Sequence, residues 1–236
     1  MSSTQATARR AGALYLLFMI VGLIDMFGFT GFLVAGDATA TALSISAHQL
    51  SYRVGMLTDL VALLLFIVLV VSLYRLFEGV DPWHAVLMVI LVSVGVAVGL
   101  ANLLTKIAPL ILLSGADYLS VFSRPQIDAL VLGALSLNSE GNTVAAVFWG
   151  LWLLPFGILV IRSDHFPRVL GVLLLVAGAA YLTSSITSII LPAYGEAVSQ
   201  AATPLLLGEF PIIFWLLIKG AKTRQLPLPT ASQRAT

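Results

Sequence analysis

The sequence predicts an all-α fold, a polytopic transmembrane helical bundle of six spans with short extracytoplasmic interfacial helices. Of the 236 residues, 59% are apolar and only 10% are charged, whereas an ordinary soluble domain has roughly 25% charged residues. A soluble globule of this size could not remove so much apolar surface from water. The apolar runs are continuous and about 20 residues long, which is the length that a helix needs to cross a bilayer. They lack the alternating pattern of a membrane β-barrel.

Six stretches qualify as spans within one predicted domain, residues 1–221, followed by a polar tail at 222–236 that we expect to be disordered and cytoplasmic. The expected spans are 11–35, 53–76, 83–113, 143–161, 168–192 and 203–219. Residues 37–52 are expected to form a loop or an interfacial helix. Residues 115–142 contain an apolar run that is too short to span, broken at 138–142, and are expected to form a re-entrant or surface helix.

The composition excludes several classes of function. A net charge of +1 provides no basic field for nucleic-acid phosphates. The chain has no cysteine, so we expect no disulfide framework or thiol nucleophile. Its three histidines, His48, His84 and His165, are far apart and are expected near the membrane surfaces, so neither a metal nor another cofactor is expected. Known catalytic motifs are missing, which favours a protein without enzymatic activity but leaves an enzyme open.

The distribution of lysine and arginine predicts the orientation of the chain. With the N-terminus inside, nine of these residues lie on the cytoplasmic side and three, Arg53, Lys106 and Arg124, lie on the other. This bias predicts that both termini are cytoplasmic. Arg9 and Arg10 precede an apolar run as in a signal peptide, but the run is longer than the apolar region of such a peptide. We therefore expect a retained first span.

Charged side chains inside spans are costly in lipid and mark candidate functional sites. Four ionisable residues on four predicted spans, Asp25, Asp59, Lys106 and Glu209, fall in the half of the bundle that faces away from the cytoplasm. The opposite half of the spans is almost wholly apolar. We therefore predict an intramembrane polar site built from these four residues. Supporting residues are expected at His48, Tyr52, Arg53, Asn102, Ser184 and Thr187.

Structural roles for the same residues stay open. Arg53 and Lys106 are long enough for their charges to reach the membrane interface, and Asp25 can hydrogen-bond a neighbouring helix. Asp59 and Glu209 can form structural ion pairs with either cation.

Small and aromatic residues suggest packing roles. Gly95 and Gly99 form a G-x-x-x-G pattern that predicts a close helix contact, within the bundle or between subunits. Trp149 and Trp152 are expected to be interfacial or packing residues.

Several strings resemble a known family. The most specific are IRSDHFPRVLG at 161–171 and GEF at 208–210, with further strings FWGL at 148–151 and RAGALYL at 10–16. Over about residues 8–221 the chain resembles the bacterial six-span family called domain of unknown function 4386 (DUF4386). The resemblance implies a protein of the bacterial cytoplasmic (inner) membrane and supplies no activity. Glu209 matches the Gly-Glu element of the family, and Arg162 and Arg168 match its cytoplasmic loop.

Three functions are compatible with these features. The first is a small transporter or proton-coupled carrier with an outward-facing polar cavity, whose substrate is a small molecule or an ion. The second is a structural or regulatory membrane subunit without small-molecule chemistry, whose partner is another membrane protein or a second copy of the chain. The third is a membrane-embedded lipid-handling enzyme that uses the same acids. The lipid bilayer is a partner in all three and nucleic acid in none.

Overall fold

The computed structural model describes residues 3–28 and 31–221, and within these ranges it contains helices and turns but no strand. The first half of the chain forms α1 (Ser3–Gly28), α2 (Ala38–Ala47), α3 (Gln49–Phe77) and α4 (Pro82–Leu112). A 3₁₀ turn at Asp117–Leu119 precedes α5 (Arg124–Leu151), α6 (Leu153–Arg162), α7 (Arg168–Ile190) and α8 (Pro192–Leu206). Then follow a 3₁₀ turn at Leu207–Glu209, α9 (Phe210–Phe214) and a π-helical turn at Trp215–Lys219. The tail expected to be disordered, 222–236, lies outside the described residues.

Six helical segments are long and apolar enough to cross a membrane. They are Gln5–Asp25, Gln49–Phe77, Pro82–Leu112, Arg124–Arg162, Arg168–Ile190 and Pro192–Lys219, here numbered as the first to sixth spans. The prediction of an all-α bundle with six membrane spans is therefore confirmed. The helix of the first span ends at Gly28 rather than at 35, and α2 occupies most of the stretch where a loop or an interfacial helix was expected.

The spans pack in the order in which they occur in the chain. α1 contacts α3, α3 contacts α4, α4 contacts α5, and α5 and α6 contact α7, which packs against α8. The last span closes a ring because its C-terminal part, 210–219, packs against α1. Neighbouring helices with short connections run antiparallel, so the first and last spans have their chain ends at the same end of the bundle. We call this the terminal end, and the opposite end, which carries α2, the distal end.

Two apolar clusters lie at different heights in the bundle. The terminal cluster joins side chains of every span and includes Tyr15, Leu69, Phe77, Met88, Phe156, Leu174 and Ile212. The distal cluster is smaller and joins α2 to the first turns of α3 and α5 through Ala42, Ile45, Tyr52, Ile127, Val131 and Leu135. The space between these clusters contains the polar residues described below.

Contacts between two connections hold the terminal end together. The same carboxylate oxygen of Asp81 contacts a guanidinium nitrogen of Arg162 and, at 2.8 Å, the ring Nδ1 of His84. The other oxygen caps α4 by accepting a hydrogen bond from the His84 backbone N–H at 3.2 Å. Desolvation raises the pKa of Asp81, but the hydrogen bonds from His84 and Arg162 outweigh it and hold this pKa below its ordinary value. The stabilisation is therefore present at neutral pH and is lost as the pH falls through the lowered pKa.

The fourth span is longer than the expected 143–161, because α5 begins at Arg124 and α6 ends at Arg162. The break expected at 138–142 and the separate short helix at 115–142 are wrong, since α5 runs through 138–142 without interruption. Asparagine and glycine disfavour helix, but Asn138 and Asn142 both hydrogen-bond to Asn102 of α4. Contacts between helices therefore override the local preference.

The sixth span begins at Pro192 rather than near 203, which changes the expected position of Glu209. This residue lies ten residues before Lys219, roughly 15 Å along a helix at about 1.5 Å per residue. Glu209 is thus in the terminal half of its span, which corrects the prediction that it lies in the distal half with the other three ionisable residues. The surrounding backbone is irregular, because a 3₁₀ turn separates α8 from α9 and Pro204 and Pro211 lie on either side.

The glycines of the G-x-x-x-G pattern make close contacts inside the bundle. A Cβ at Gly95 would lie 2.8 Å from the Cβ of Phe148 in α5, and one at Gly99 would lie 2.8 Å from the Leu63 side chain in α3. The two positions therefore contact two different neighbours of α4.

The backbones of α6 and α7 approach each other closely at Gly157 and Gly171. A Cβ at Gly171 would lie 2.5 Å from the carbonyl oxygen of Gly157, and one at Gly157 would lie 2.8 Å from the carbonyl oxygen of Gly171. Small residues allow this approach, which is a general way to pack helices in membranes.

We predict that Gly171→Ala lowers the thermal stability of the protein. The new methyl group would lie 2.5 Å from the backbone oxygen of Gly157 and 2.5 Å from the Ile161 side chain. The backbone oxygen cannot move independently of its helix, so α6 and α7 must separate, at a cost of about 1–3 kcal/mol. Gly133→Ala is the matched control, because a Cβ there meets nothing within 4 Å and alanine favours helix. Unfolding in detergent, followed by circular dichroism, measures both midpoints. A Gly171→Ala midpoint at or above that of wild type would contradict the packing described here.

Candidate functional site

A cavity of about 400 Å³, here called the central cavity, lies inside the ring of spans. The four ionisable residues selected from the sequence, Asp25, Asp59, Lys106 and Glu209, all line it. They come from α1, α3, α4 and the sixth span, so the closure of the ring brings them to one place. Its volume lies in the lower part of the range of small-molecule sites, roughly 300–1,000 Å³.

An ion pair and a second acid form the distal end of the central cavity. The ammonium group of Lys106 contacts a carboxylate oxygen of Asp59, and both side chains are 23% exposed. The carboxyl group of Asp25 faces that of Asp59. The hydroxyl of Tyr52 donates a hydrogen bond to the backbone oxygen of Lys106 at 2.9 Å, which ties the start of α3 to α4. This end therefore combines two carboxyl groups with one ammonium group.

Amide side chains fix α4 against α5 beside this ion pair. The side-chain amide of Asn102 donates hydrogen bonds to the backbone oxygen of Asn138 at 3.0 Å and to the side-chain oxygen of Asn142 at 2.8 Å. In return, the Asn138 amide donates to the backbone oxygen of Asn102 at 3.1 Å and to the Thr105 hydroxyl at 2.9 Å. The side chain of Asn102 also fits over Gly141, where a Cβ would lie 2.0 Å from its oxygen. We call Asn102, Asn138 and Asn142 the amide clamp.

Glu209 lies at the terminal side of the central cavity, among aromatic residues. The hydroxyl of Tyr15, a fully buried residue of α1, donates a hydrogen bond to a Glu209 carboxylate oxygen at 2.6 Å. Tyr181 of α7 lines the same cavity and interacts electrostatically with Glu209. Within the described residues, the ion pairs are those of Asp81, Asp59 and Asp128, so Glu209 has a hydrogen-bond donor but no cationic partner there.

Aromatic rings separate the central cavity from the terminal end. Phe18, Phe66 and Trp152 line the cavity and pack in or against the terminal cluster. Phe18 stacks on Phe66 with ring centroids 4.8 Å apart, and Phe66 meets Trp152 edge-on at 5.1 Å. Trp152 stands at the junction of α5 and α6 and is 2% exposed, so it has the packing role that was one of its two expected roles.

A second cavity of about 270 Å³, here called the outer cavity, lies on the distal side of the amide clamp. Its lining includes Tyr52 and Leu135 of the distal cluster. Lys106, Asn138 and Asn142 line both cavities. These three side chains therefore form a partition between the outer cavity and the central cavity.

The supporting residues expected from the sequence divide into two groups. Tyr52 lines the outer cavity and Asn102 lines the central one. The other four, His48, Arg53, Ser184 and Thr187, are described residues that line neither cavity. His48 and Arg53 are exposed, and the His48 ring bonds to the backbone oxygen of Ser44.

Sequence reasoning missed the neutral residues that complete the site. Tyr15, Tyr181, Asn138 and Asn142 carry no charge, so the search for ionisable residues inside spans passed over them. The spacing of Asn138 and Asn142, four residues apart, places them on one helix face and was the available signal. Within 3–28 and 31–221, no group of three or more His, Cys, Asp or Glu side chains is placed to hold a metal ion.

Comparison with known proteins gives a family but no activity. A family model described as "Domain of unknown function (DUF4386)" matches residues 10–220. A curated protein of Archaeoglobus fulgidus, described as uncharacterized, is 32% identical over 80 residues, which are 34% of this chain and 46% of that protein. The chain thus spans about half the length of the curated relative that it matches. No solved structure matches the chain.

We predict that Lys106→Met destabilises the protein more than the double substitution Asp59→Asn, Lys106→Met does. The single substitution leaves the Asp59 carboxylate beside a second acid, Asp25, without its ammonium partner, at a cost of roughly 1–3 kcal/mol because the pair is partly exposed to solvent. The double substitution removes the Asp59 charge as well. Glu140→Gln, at an exposed position of α5, is the control and should change little. Thermal unfolding in detergent compares the variants, and equal losses in the single and double variants would show that the pair is not coupled.

Proposed function

The chain belongs to the DUF4386 family, whose description assigns no activity, and we propose that it is a proton-coupled carrier of a small solute. The observation that supports this most strongly is the convergence of Asp25, Asp59, Lys106 and Glu209 on the central cavity. Ionisable residues inside membrane spans are costly and usually serve a substrate or ion pathway. Charges that served only packing would be expected to pair with one another without leaving a cavity of about 400 Å³ between them.

Protons are the proposed coupling ion because the cavity contains more acids than bases. Asp25, Asp59 and Glu209 face a single ammonium group, that of Lys106. Two carboxyl groups that face each other in a site of low polarity favour sharing one proton. We propose that Asp25 and Asp59 hold such a proton, which together with Lys106 makes the distal end of the cavity neutral. Tyr52 of α3 also interacts electrostatically with Asp59.

The two cavities suggest a route for the solute from the distal side. It would enter the outer cavity, pass the partition of Lys106, Asn138 and Asn142, and reach the central cavity. On the terminal side, the aromatic rings at Phe18, Phe66 and Trp152 would have to move apart to release it. The two barriers correspond to the two gates that alternating access requires.

We propose that the terminal end faces the cytoplasm of a bacterial cell and that the protein lies in the cytoplasmic membrane. Basic residues support this orientation, because Arg75, Arg162 and Arg168 lie in or beside the connections at the terminal end. Cytoplasmic connections are enriched in lysine and arginine.

Cysteine accessibility tests the carrier directly, and the chain contains no native cysteine to interfere. Ala62, which lines the central cavity, is replaced with cysteine, and a membrane-impermeant thiol reagent is added to right-side-out or inside-out vesicles. A carrier exposes its central cavity to each side in turn, so we expect Ala62→Cys to react from both sides. Met56→Cys in the outer cavity should react from the distal side alone.

Leu69→Cys is the matched control, since Leu69 of the same helix is fully buried in the terminal cluster. We expect Ala62→Cys to react at least about ten times faster than this control from both sides. Reaction from the distal side alone would contradict a carrier and favour a lipid-handling enzyme. A rate equal to that of the control on both sides would favour a structural or regulatory subunit.

A further inference from the structure

We infer that the central cavity binds a small organic monocation, with Glu209 as its counter-charge and the surrounding aromatic rings as its walls. This inference rests on the proposed function, because it names the class of solute that the carrier would take. It follows from the distribution of charge, from the chemistry of the walls and from the size of the cavity.

Among the described residues that line the central cavity, the cation is Lys106, at the distal end. There it pairs with Asp59, beside Asp25. At the other end, Tyr15 donates a hydrogen bond to Glu209 but brings no positive charge. Within the described part of the chain, Glu209 makes no ion pair. An ionised carboxylate in an apolar bundle requires a cation or a proton, so a monocation fits the position that a second proton would otherwise fill.

The walls near Glu209 favour an organic cation over a metal ion. Phe18, Phe66, Trp149, Trp152 and Tyr181 all line the central cavity. Aromatic faces attract ammonium groups and pack against the carbon atoms that such groups carry. A metal ion would need several oxygen ligands instead, and within the described residues no cluster of three or more such side chains exists.

The size of the cavity limits the ligand to a small molecule. At about 400 Å³ it has room for a substituted ammonium ion, and the partition at Lys106 separates it from the outer cavity. In the proposed state the distal end is neutral and offers a cation no counter-charge, which directs the positive group towards Glu209. The ligand class is therefore a compact amine or quaternary ammonium ion with apolar substituents.

Equilibrium binding to the purified full-length protein tests this inference. The probes are choline and benzyltrimethylammonium, and the comparison compound is dimethylbutanol, the uncharged carbon isostere of choline. Calorimetry measures affinity, and the fluorescence of the cavity tryptophans, Trp149 and Trp152, reports occupancy. We expect at least one cation to bind, and the isostere of choline to bind at least about tenfold more weakly than choline or not at all.

Two variants test whether the cation binds beside Glu209 in the central cavity. Glu209→Gln removes the counter-charge at nearly constant size and should weaken cation binding at least about tenfold. Glu196→Gln removes an exposed acid of the same span, whose side chain accepts a hydrogen bond from Gln200, and should bind as wild type does. The comparison of choline with its isostere uses wild-type protein, so it still tests the cation site if Glu209→Gln does not fold.

The outcomes separate this inference from the proposed function. Absence of binding by both cations, equal binding of choline and its isostere, or wild-type affinity in folded Glu209→Gln would overturn the cation site. If Ala62→Cys still reacts from both sides in that case, the carrier function is retained and only the proposed class of solute is rejected. If the cations bind while Ala62→Cys reacts from one side, the cation site is retained and the carrier function is rejected.

Discussion

Neutralising charge inside an apolar bundle is the constraint on which this structure depends. Three acids and one base lie where lipid and apolar side chains surround them, and an unpaired charge there is expensive. The partners that reduce this cost come from different spans: Lys106 reaches Asp59 from α4, and Tyr15 reaches Glu209 from α1. The Tyr15–Glu209 contact crosses the junction between the first and last spans, so its formation is coupled to the closure of the ring. The acids left over after pairing give the central cavity its negative character.

The two apolar clusters give this polar layer its function in the proposed carrier. They pack on either side of it, and electrostatic interactions strengthen as the surroundings become less polar. The amide clamp and the ion pair form the distal partition, while aromatic rings form the terminal one. Both partitions consist of side chains, so in the proposed carrier small movements of neighbouring spans would open either one. The irregular backbone around Glu209, with its 3₁₀ turn between α8 and α9, lies where such a movement would act.

The hydropathy of the sequence predicted the six spans, because spanning a bilayer imposes a length and a composition that local sequence reveals. It also selected the four ionisable residues that line the central cavity. The prediction for α5 from local sequence was wrong. The residues at 138–142 disfavour helix in isolation, and they are helical here because Asn138 and Asn142 bond to Asn102. Local sequence also misplaced Glu209, because the polar start of the sixth span resembled a loop. Tyr15 was missed because its contact with Glu209 forms only when α1 packs against the last span. The order of helices in a bundle cannot be read from a single sequence.

The most direct test of the central claim is an electron cryo-microscopy map of the protein in lipid nanodiscs at a resolution that shows side chains. The account predicts that the carboxyl groups of Asp25, Asp59 and Glu209 and the ammonium group of Lys106 border one enclosed, water-containing space. Water density between the Asp59–Lys106 pair and Glu209 would support a continuous cavity. Side chains that point into lipid, or a bundle packed solid between these residues, would contradict it.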